Sequence, residues 1–118
     1  MQPTLTIKTE APNKDKNYQI VKFVGEFDKA GYMGTKEELD SIVDKFELKD
    51  MIFDFTDLKF INSESIGYLI EVHSNLVKKD KSLVLVKPDT HVKEVLKTIG
   101  IDEVVPMYAD LDSYLKSN

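Results

Sequence analysis

A polar cluster in the middle of the chain, made of Asn62, Ser63, Glu64 and Ser65, separates a strand-like apolar run from a helix-like one. The first backbone N–H groups of a helix have no partner within it, so a nearby side-chain oxygen usually accepts from one of them. One interpretation is therefore local: Asn62 or Ser63 caps the helix, and Glu64 and Ser65 complement its positive end. The other is functional, since an exposed serine at a helix start can be part of a surface that contacts a partner.

The outer face of the helix that follows is predicted to carry five side chains, Glu64, Tyr68, Glu71, Asn75 and Lys78. An exposed tyrosine beside acidic groups is typical of a surface that binds another protein. The same residues also fit a solvated helix face with one aromatic side chain. The sequence alone leaves both interpretations open.

The sequence lacks the residue patterns that are typical of enzyme active sites and metal sites. The chain has no cysteine, which excludes disulfides and thiolate sites. Ser63 and His73 lie ten residues apart on one predicted helix, too far for a proton transfer. The sequence also lacks the metal-binding and phosphate-loop motifs. We therefore predict a protein that is not an enzyme and has no catalytic residue, metal site or cofactor.

Composition and charge narrow the possible partners. The 118 residues, 42% of them hydrophobic and 31% charged, predict one soluble domain spanning residues 1–118. The net charge is −5 and all 16 basic residues are lysine, which argues against binding nucleic acid or an anionic membrane. No apolar run reaches the roughly 20 residues of a membrane span, and no signal peptide is recognisable. We expect a cytoplasmic protein whose partner is a protein or a small ligand.

The hydrophobic periodicity predicts the element order β β α β α β α β α. Short strands that alternate with helices require right-handed crossovers, so the predicted fold is α/β with a mixed, largely parallel sheet of four to five strands and about four helices. Thr35 is predicted to cap the first helix. The predicted strands are 4–9, 18–28, 51–55, 82–86 and 104–107. The helices predicted after the first one are 63–79, 90–99 and 109–116.

The predicted core gives a direct check of this fold. The strands "MIFDF" (51–55) and "SLVLV" (82–86) are expected to be parallel neighbours. Helical and strand spacing predict that six side chains are buried, namely Ile66, Leu69, Ile70, Leu76, Val84 and Leu96.

Two segments resemble the STAS domain of bacterial anti-sigma factor antagonists. "FDFTDLKFINSESIGYLIEVHSNL" (53–76) is similar to the family's signature, an apolar strand followed by D-[LF]-x-x-[VLI]-x-[FY]-[ILM]-D-S-[ST]-G-[LI]-G and a helix. "VKFVGEFD" (21–28) is similar to its G-E-[LI]-D segment. The order of elements agrees as well, so the resemblance covers nearly the whole chain. Asn62 replaces the motif's aspartate, Glu64 its second hydroxyl residue and Ser65 its first glycine.

The resemblance implies a regulatory protein that binds an anti-sigma factor with GHKL-type serine kinase activity, is phosphorylated by it at Ser63, and is restored by a PP2C-type phosphatase. A role in transcription regulation and bacterial signalling follows, with the protein as a monomer or weak dimer. The alternative is a STAS-fold scaffold, or a module that handles a small ligand or lipid, without a phosphorylation switch. The predicted partner-binding residues are Asp28, Asn62, Ser63, Glu64, Ser65, Tyr68 and Glu71.

Overall fold

Five strands form a single mixed sheet in the order β1-β2-β3-β4-β5 in the computed structural model, which describes residues 4–117. Strand β1 pairs antiparallel with β2, and the other neighbours are parallel, including the "MIFDF" and "SLVLV" segments. This confirms the predicted α/β architecture. The strands are β1 (Leu5–Thr9), β2 (Tyr18–Phe27), β3 (Asp50–Ile61), β4 (Ser82–Val86) and β5 (Met107–Tyr108).

Four α-helices connect or follow the strands, and their ends carry recognisable caps. Asp89 and Asp110 each accept the backbone N–H of the residue three positions on, and Gly100 ends the third helix in the left-handed conformation at φ 90°. The third helix has the predicted bounds, 90–99, whereas the fourth begins two residues after the predicted 109. The helices are α1 (Lys29–Asp44), α2 (Ser63–Val77), α3 (Thr90–Ile99) and α4 (Leu111–Ser117), with a short 3₁₀ turn at Ile101–Glu103.

The two faces of the sheet are covered unequally. The main core joins one face of the sheet to α1, α2 and α3, while a smaller cluster packs around Tyr114 of α4 on Ile52 and Val84. Five of the six side chains predicted to be buried are so; Ile70 is 41% exposed, and that prediction was wrong. Within residues 4–117 no helix is long and apolar enough to span a membrane.

The first helix begins six residues earlier than its predicted cap. Asp28, not Thr35, is the N-cap, and Thr35 is buried inside α1, where its hydroxyl donates to the Gly31 carbonyl at 2.7 Å. Gly31 lies within this helix and must be a glycine, because a Cβ there would lie 2.5 Å from the Glu26 carbonyl oxygen.

Gly25 fixes the corner where β1 starts beside the end of β2. Its φ is +116°, and a Cβ would lie 2.2 Å from the Thr4 carbonyl oxygen, which accepts the Glu26 N–H at 2.7 Å. The Thr4 hydroxyl in turn donates to Asp28 at 2.9 Å. The "GEFD" segment therefore has a structural meaning: its glycine permits the close approach and its aspartate caps α1.

We predict that Gly25→Ala lowers the free energy of unfolding by about 2–3 kcal/mol, because the left-handed backbone and the close approach both oppose a side chain. Urea denaturation measures the change. Gly34→Ala is the matched control: apart from its chain neighbours and its own helix backbone, no heavy atom of residues 4–117 lies within 4 Å of the position that a Cβ would take there in α1, so it should gain about 0.5–1 kcal/mol. Equal effects of the two substitutions would contradict this account of the corner.

Candidate functional site

The polar cluster lies where β2 and β3 end side by side. Phe27 and Ile61 are paired in the parallel ladder, and the next residues of the two strands begin α1 and α2. The Phe27 carbonyl oxygen accepts two hydrogen bonds from the cluster, from the Asn62 N–H at 3.2 Å and from the Ser65 hydroxyl at 2.7 Å. The first turn of α2 is thereby attached directly to the end of β2.

Asn62, rather than Ser63, caps α2. Its side-chain oxygen accepts the Ser65 N–H at 2.8 Å, and its backbone is extended, as an N-cap requires. Ser63 occupies the first helical position and is exposed, and within residues 4–117 its hydroxyl makes no hydrogen bond. Ser63 is thus a surface hydroxyl that the helix start does not need.

Asp28 performs the equivalent capping for α1. Its carboxylate accepts the Gly31 N–H at 2.8 Å and the Thr4 hydroxyl at 2.9 Å. The Gly31 N–H, more than the Thr4 hydroxyl, holds the pKa of Asp28 below its usual range. The carboxylate predicted to contact a partner is therefore already engaged in the fold. Two helix N-termini meet at this edge, which gives it a positive backbone field.

Tyr68 is not on the surface, and its predicted exposure was wrong. It is 2% exposed, its hydroxyl donates to the Asp40 carboxylate at 2.6 Å, and its ring meets the Tyr32 ring edge-on with centroids 5.4 Å apart. Burial, and then the bond to Asp40, raises the pKa of the Tyr68 hydroxyl. Tyr68 belongs to the seam between α1 and α2, where Asp40 also pairs with Lys36 at 2.7 Å.

Ser65 is also fully buried, and its hydroxyl is bonded to the Phe27 carbonyl, so it cannot contact a partner in the folded protein. Three of the predicted partner-binding residues, Ser63, Glu64 and Glu71, are exposed, and Asn62 is partly buried. The structure thus separates the predicted set into side chains that build the helix start and side chains that face solvent.

The exposed face of α2 is wider than the predicted one: Glu64, Glu71, Asn75 and Lys78 are exposed as predicted, and a neighbouring row of residues is exposed as well. Five exposed residues, which we call the α2 stripe, recur at spacings of four and three: Ser63, Gly67, Ile70, Ser74 and Val77. The sequence analysis had predicted that Ile70 is buried. The regular spacing of small residues at 63, 67 and 74 was the signal that could have identified the stripe.

Two grooves border α1, and neither includes the polar cluster. One of about 570 Å³ lies between α1 and α2 and is lined mainly by polar and charged side chains, among them Asp44, Glu71 and Lys79. A second of about 350 Å³ lies near the end of α1 and includes Ile42, Phe46 and Leu48. Among residues 4–117 no group of His, Asp and Glu side chains is arranged to hold a metal ion.

Comparison with known proteins identifies a family and several structural neighbours. A family model described as the STAS domain matches residues 9–114. No curated protein matches the sequence significantly. An anti-sigma factor antagonist from Mycobacterium paratuberculosis has a TM-score of 0.81 at 19% identity, with 99% of this chain and 96% of that chain covered.

SpoIIAA, an anti-sigma factor antagonist, is a further structural neighbour and matches in two states. Its unphosphorylated form has a TM-score of 0.76 at 16% identity, covering 95% of both chains. Its phosphorylated form, from Bacillus, has a TM-score of 0.68 at 15% identity, covering 95% of this chain and 98% of that chain. At these identities the similarity establishes the fold.

We predict that Tyr68→Phe lowers the free energy of unfolding by about 1–1.5 kcal/mol at neutral pH, because it removes a hydrogen bond to a half-exposed carboxylate. Burial raises the pKa of Asp40, but the hydrogen bonds from Lys36 and Tyr68 outweigh it and hold the pKa below its usual range. A carboxyl group whose pKa is lowered in the folded protein stabilises the fold at a pH above its pKa in the unfolded chain, about 3.9. This stabilisation is lost as the pH falls through the pKa of the folded protein. The cost of Tyr68→Phe should therefore shrink in acid.

Urea denaturation at neutral and acidic pH measures this difference. Tyr32→Phe is the control, since the Tyr32 ring contacts the same seam, whereas the tyrosine hydroxyl that donates to Asp40 is that of Tyr68; its effect should stay within about 0.5 kcal/mol. A Tyr68→Phe cost that is the same at both pH values would contradict the role of the Asp40 bond.

Proposed function

The chain belongs to the STAS domain family, and from this we propose that it is an anti-sigma factor antagonist that is switched by phosphorylation of Ser63. In this proposal the unphosphorylated protein binds an anti-sigma factor that is also a GHKL-type serine kinase. The kinase phosphorylates Ser63, the complex dissociates, and a PP2C-type phosphatase restores the binding form. The protein acts by binding and catalyses no reaction itself.

The observation that carries the proposal is the exposed, unused hydroxyl of Ser63. Because Asn62 caps α2 and Ser65 attaches it to Phe27, the fold has no need of a serine at position 63. Ser63 is also the residue that aligns with the phosphorylated position of the family motif. The existence of SpoIIAA in phosphorylated and unphosphorylated forms supports the same chemistry on this fold.

A phosphate on Ser63 would change the contact with the anti-sigma factor more than it would change the fold of this protein. It adds about −1.5 to −2 charges and three acceptor oxygens at neutral pH. The N-terminus of α2 favours negative charge, so the helix start tolerates the group. Glu64 is exposed next to it, so the local surface becomes strongly negative and strongly hydrated. A partner that packs closely against Ser63 must then remove that hydration, which weakens the complex.

We predict that purified GHKL-type serine kinases of the source organism include one that transfers the γ-phosphoryl group of ATP to Ser63. Intact-protein and peptide mass spectrometry would detect one added phosphoryl group on the peptide that contains Ser63. Ser63→Ala should stay unmodified and keep its affinity for the kinase. Its stability should change by less than about 0.5 kcal/mol, because Asn62 is the cap.

Ser63→Asp should lose most of its affinity for the kinase and gain about 0.3–1 kcal/mol of stability from the helix N-terminus. Thr98→Asp provides the control, since it places the same charge on the exposed face of α3 and should leave the affinity unchanged. Equal affinities of wild type and Ser63→Asp would exclude the switch, and phosphorylation at another residue would exclude Ser63 as its site.

A further inference from the structure

A groove of about 350 Å³, which we call the hairpin groove, lies between the end of α1 and the turn that joins β1 to β2. Its apolar surface comes from Ile42, Phe46 and Leu48, and of these Ile42 and Leu48 are partly buried against the main core. Small-molecule sites are concave and mostly apolar, with volumes of roughly 300–1,000 Å³. The hairpin groove has these properties, and the proposed switch at Ser63 does not use it.

Hydrogen bonds hold both walls of the hairpin groove in place. One wall is the loop 45–49. The Lys49 N–H donates to the Asn17 side-chain oxygen at 2.9 Å, and the Lys81 ammonium donates to two carbonyl oxygens of the loop at 2.9 and 2.8 Å. The other wall is the turn 10–17, which two backbone hydrogen bonds close. The groove is therefore formed before any ligand arrives, so binding does not have to order its walls.

Two lysines carry free positive charge at the hairpin groove. The ammonium groups of Lys14 and Lys45 are exposed and make no hydrogen bond or ion pair within residues 4–117. Among the described residues that line the groove, Glu47 is the acidic one, so positive charge exceeds negative there although the whole chain carries −5. The Lys81 ammonium, bound to carbonyl oxygens just beyond α1, offsets the negative end of that helix.

We infer that the hairpin groove binds a small amphipathic carboxylate. The apolar part of the ligand covers Ile42 and Leu48, and its carboxylate lies between the ammonium groups of Lys14 and Lys45, whose flexible stems allow them to reach it. A neutral head group would leave both charges unused, and a cationic one would be repelled by them. An anionic membrane is disfavoured by the net charge of −5. This inference does not depend on the proposed function.

The test titrates the full chain with octanoate, octanol and octylammonium, which share one apolar chain and differ in charge. Calorimetry gives the affinities, and amide NMR locates the site. Octanoate should bind with a dissociation constant on the order of 1 mM and shift the amide signals of Ile42, Phe46 and Leu48. Octanol should bind about tenfold more weakly, because it lacks the charge-assisted contacts, and octylammonium more weakly still.

A double substitution tests the two lysines. Lys14→Gln combined with Lys45→Gln should weaken octanoate binding about tenfold and leave octanol binding unchanged, because it removes the charge and keeps the apolar surface. Lys93→Gln combined with Lys97→Gln is the matched control. It makes the same change in net charge on the exposed face of α3 and should leave both affinities as in wild type.

A second pair of variants tests the apolar part of the hairpin groove. Thr9 is exposed and lines the groove, so the large ring of Thr9→Trp should fill it and abolish binding of octanoate and octanol alike. Thr6→Trp is the control, since Thr6 is also exposed on β1 but points to the opposite face of the sheet. Both variants should keep a melting temperature close to that of wild type.

Equal affinities of the wild type for octanoate and octanol, binding that does not saturate, or shift changes centred on another part of the chain would each overturn the inference. Vesicles that contain phosphatidylglycerol give the remaining outcome. If the wild type sediments with them and Thr9→Trp does not, the groove binds a membrane surface, and the inference is wrong. The absence of a kinase for Ser63 would refute the proposed function and leave this inference unaffected.

Discussion

The carbonyl oxygen of Phe27 is the point on which the candidate site depends. It accepts the Asn62 N–H and the Ser65 hydroxyl, so the last residue of β2 holds the first turn of α2. Each bond contributes only about 0.5–1.5 kcal/mol, but Ser65 is buried, and an unpaired hydroxyl there would cost more. Because Asp28, the N-cap of α1, directly follows Phe27, the same residue also sets the relative position of the two helix N-termini.

The side chains of the polar cluster therefore have two different roles. Asn62 and Ser65 use their side chains inside the protein, whereas Ser63 and Glu64 project into solvent. The STAS pattern has glycine at the position of Ser65, and here the serine adds a bond from α2 to β2. With the helix start held in this way, a chemical change at Ser63 alters the surface while the backbone beneath it keeps its partners. The α1–α2 seam at Tyr68 gives further support one turn along the helix.

Local signals in the sequence were sufficient for most of the fold. Continuous apolar runs identified the central parallel strands, and the bounds of α3 agree with the predicted 90–99, because these signals act within a few residues. The errors arose where a distant contact decided the outcome. Tyr68 was predicted to be exposed because its spacing puts it on the predicted outer face of the helix, but Asp40, 28 residues away, accepts its hydroxyl hydrogen bond and allows burial. Ile70 was predicted to be buried because hydropathy cannot distinguish core from an apolar surface.

The central claim is that Ser63 is a surface switch on a helix start that stays intact. The most direct test is to prepare the protein with phosphoserine incorporated at position 63 and to record its melting temperature and its amide NMR spectrum beside those of unmodified protein. We expect a melting temperature that is equal or higher, with shift changes confined to the first turns of α2 and the adjoining start of α1. A lower melting temperature, or changes that spread through β2 and β3, would contradict the claim, because the bonds to Phe27 would then not survive phosphorylation.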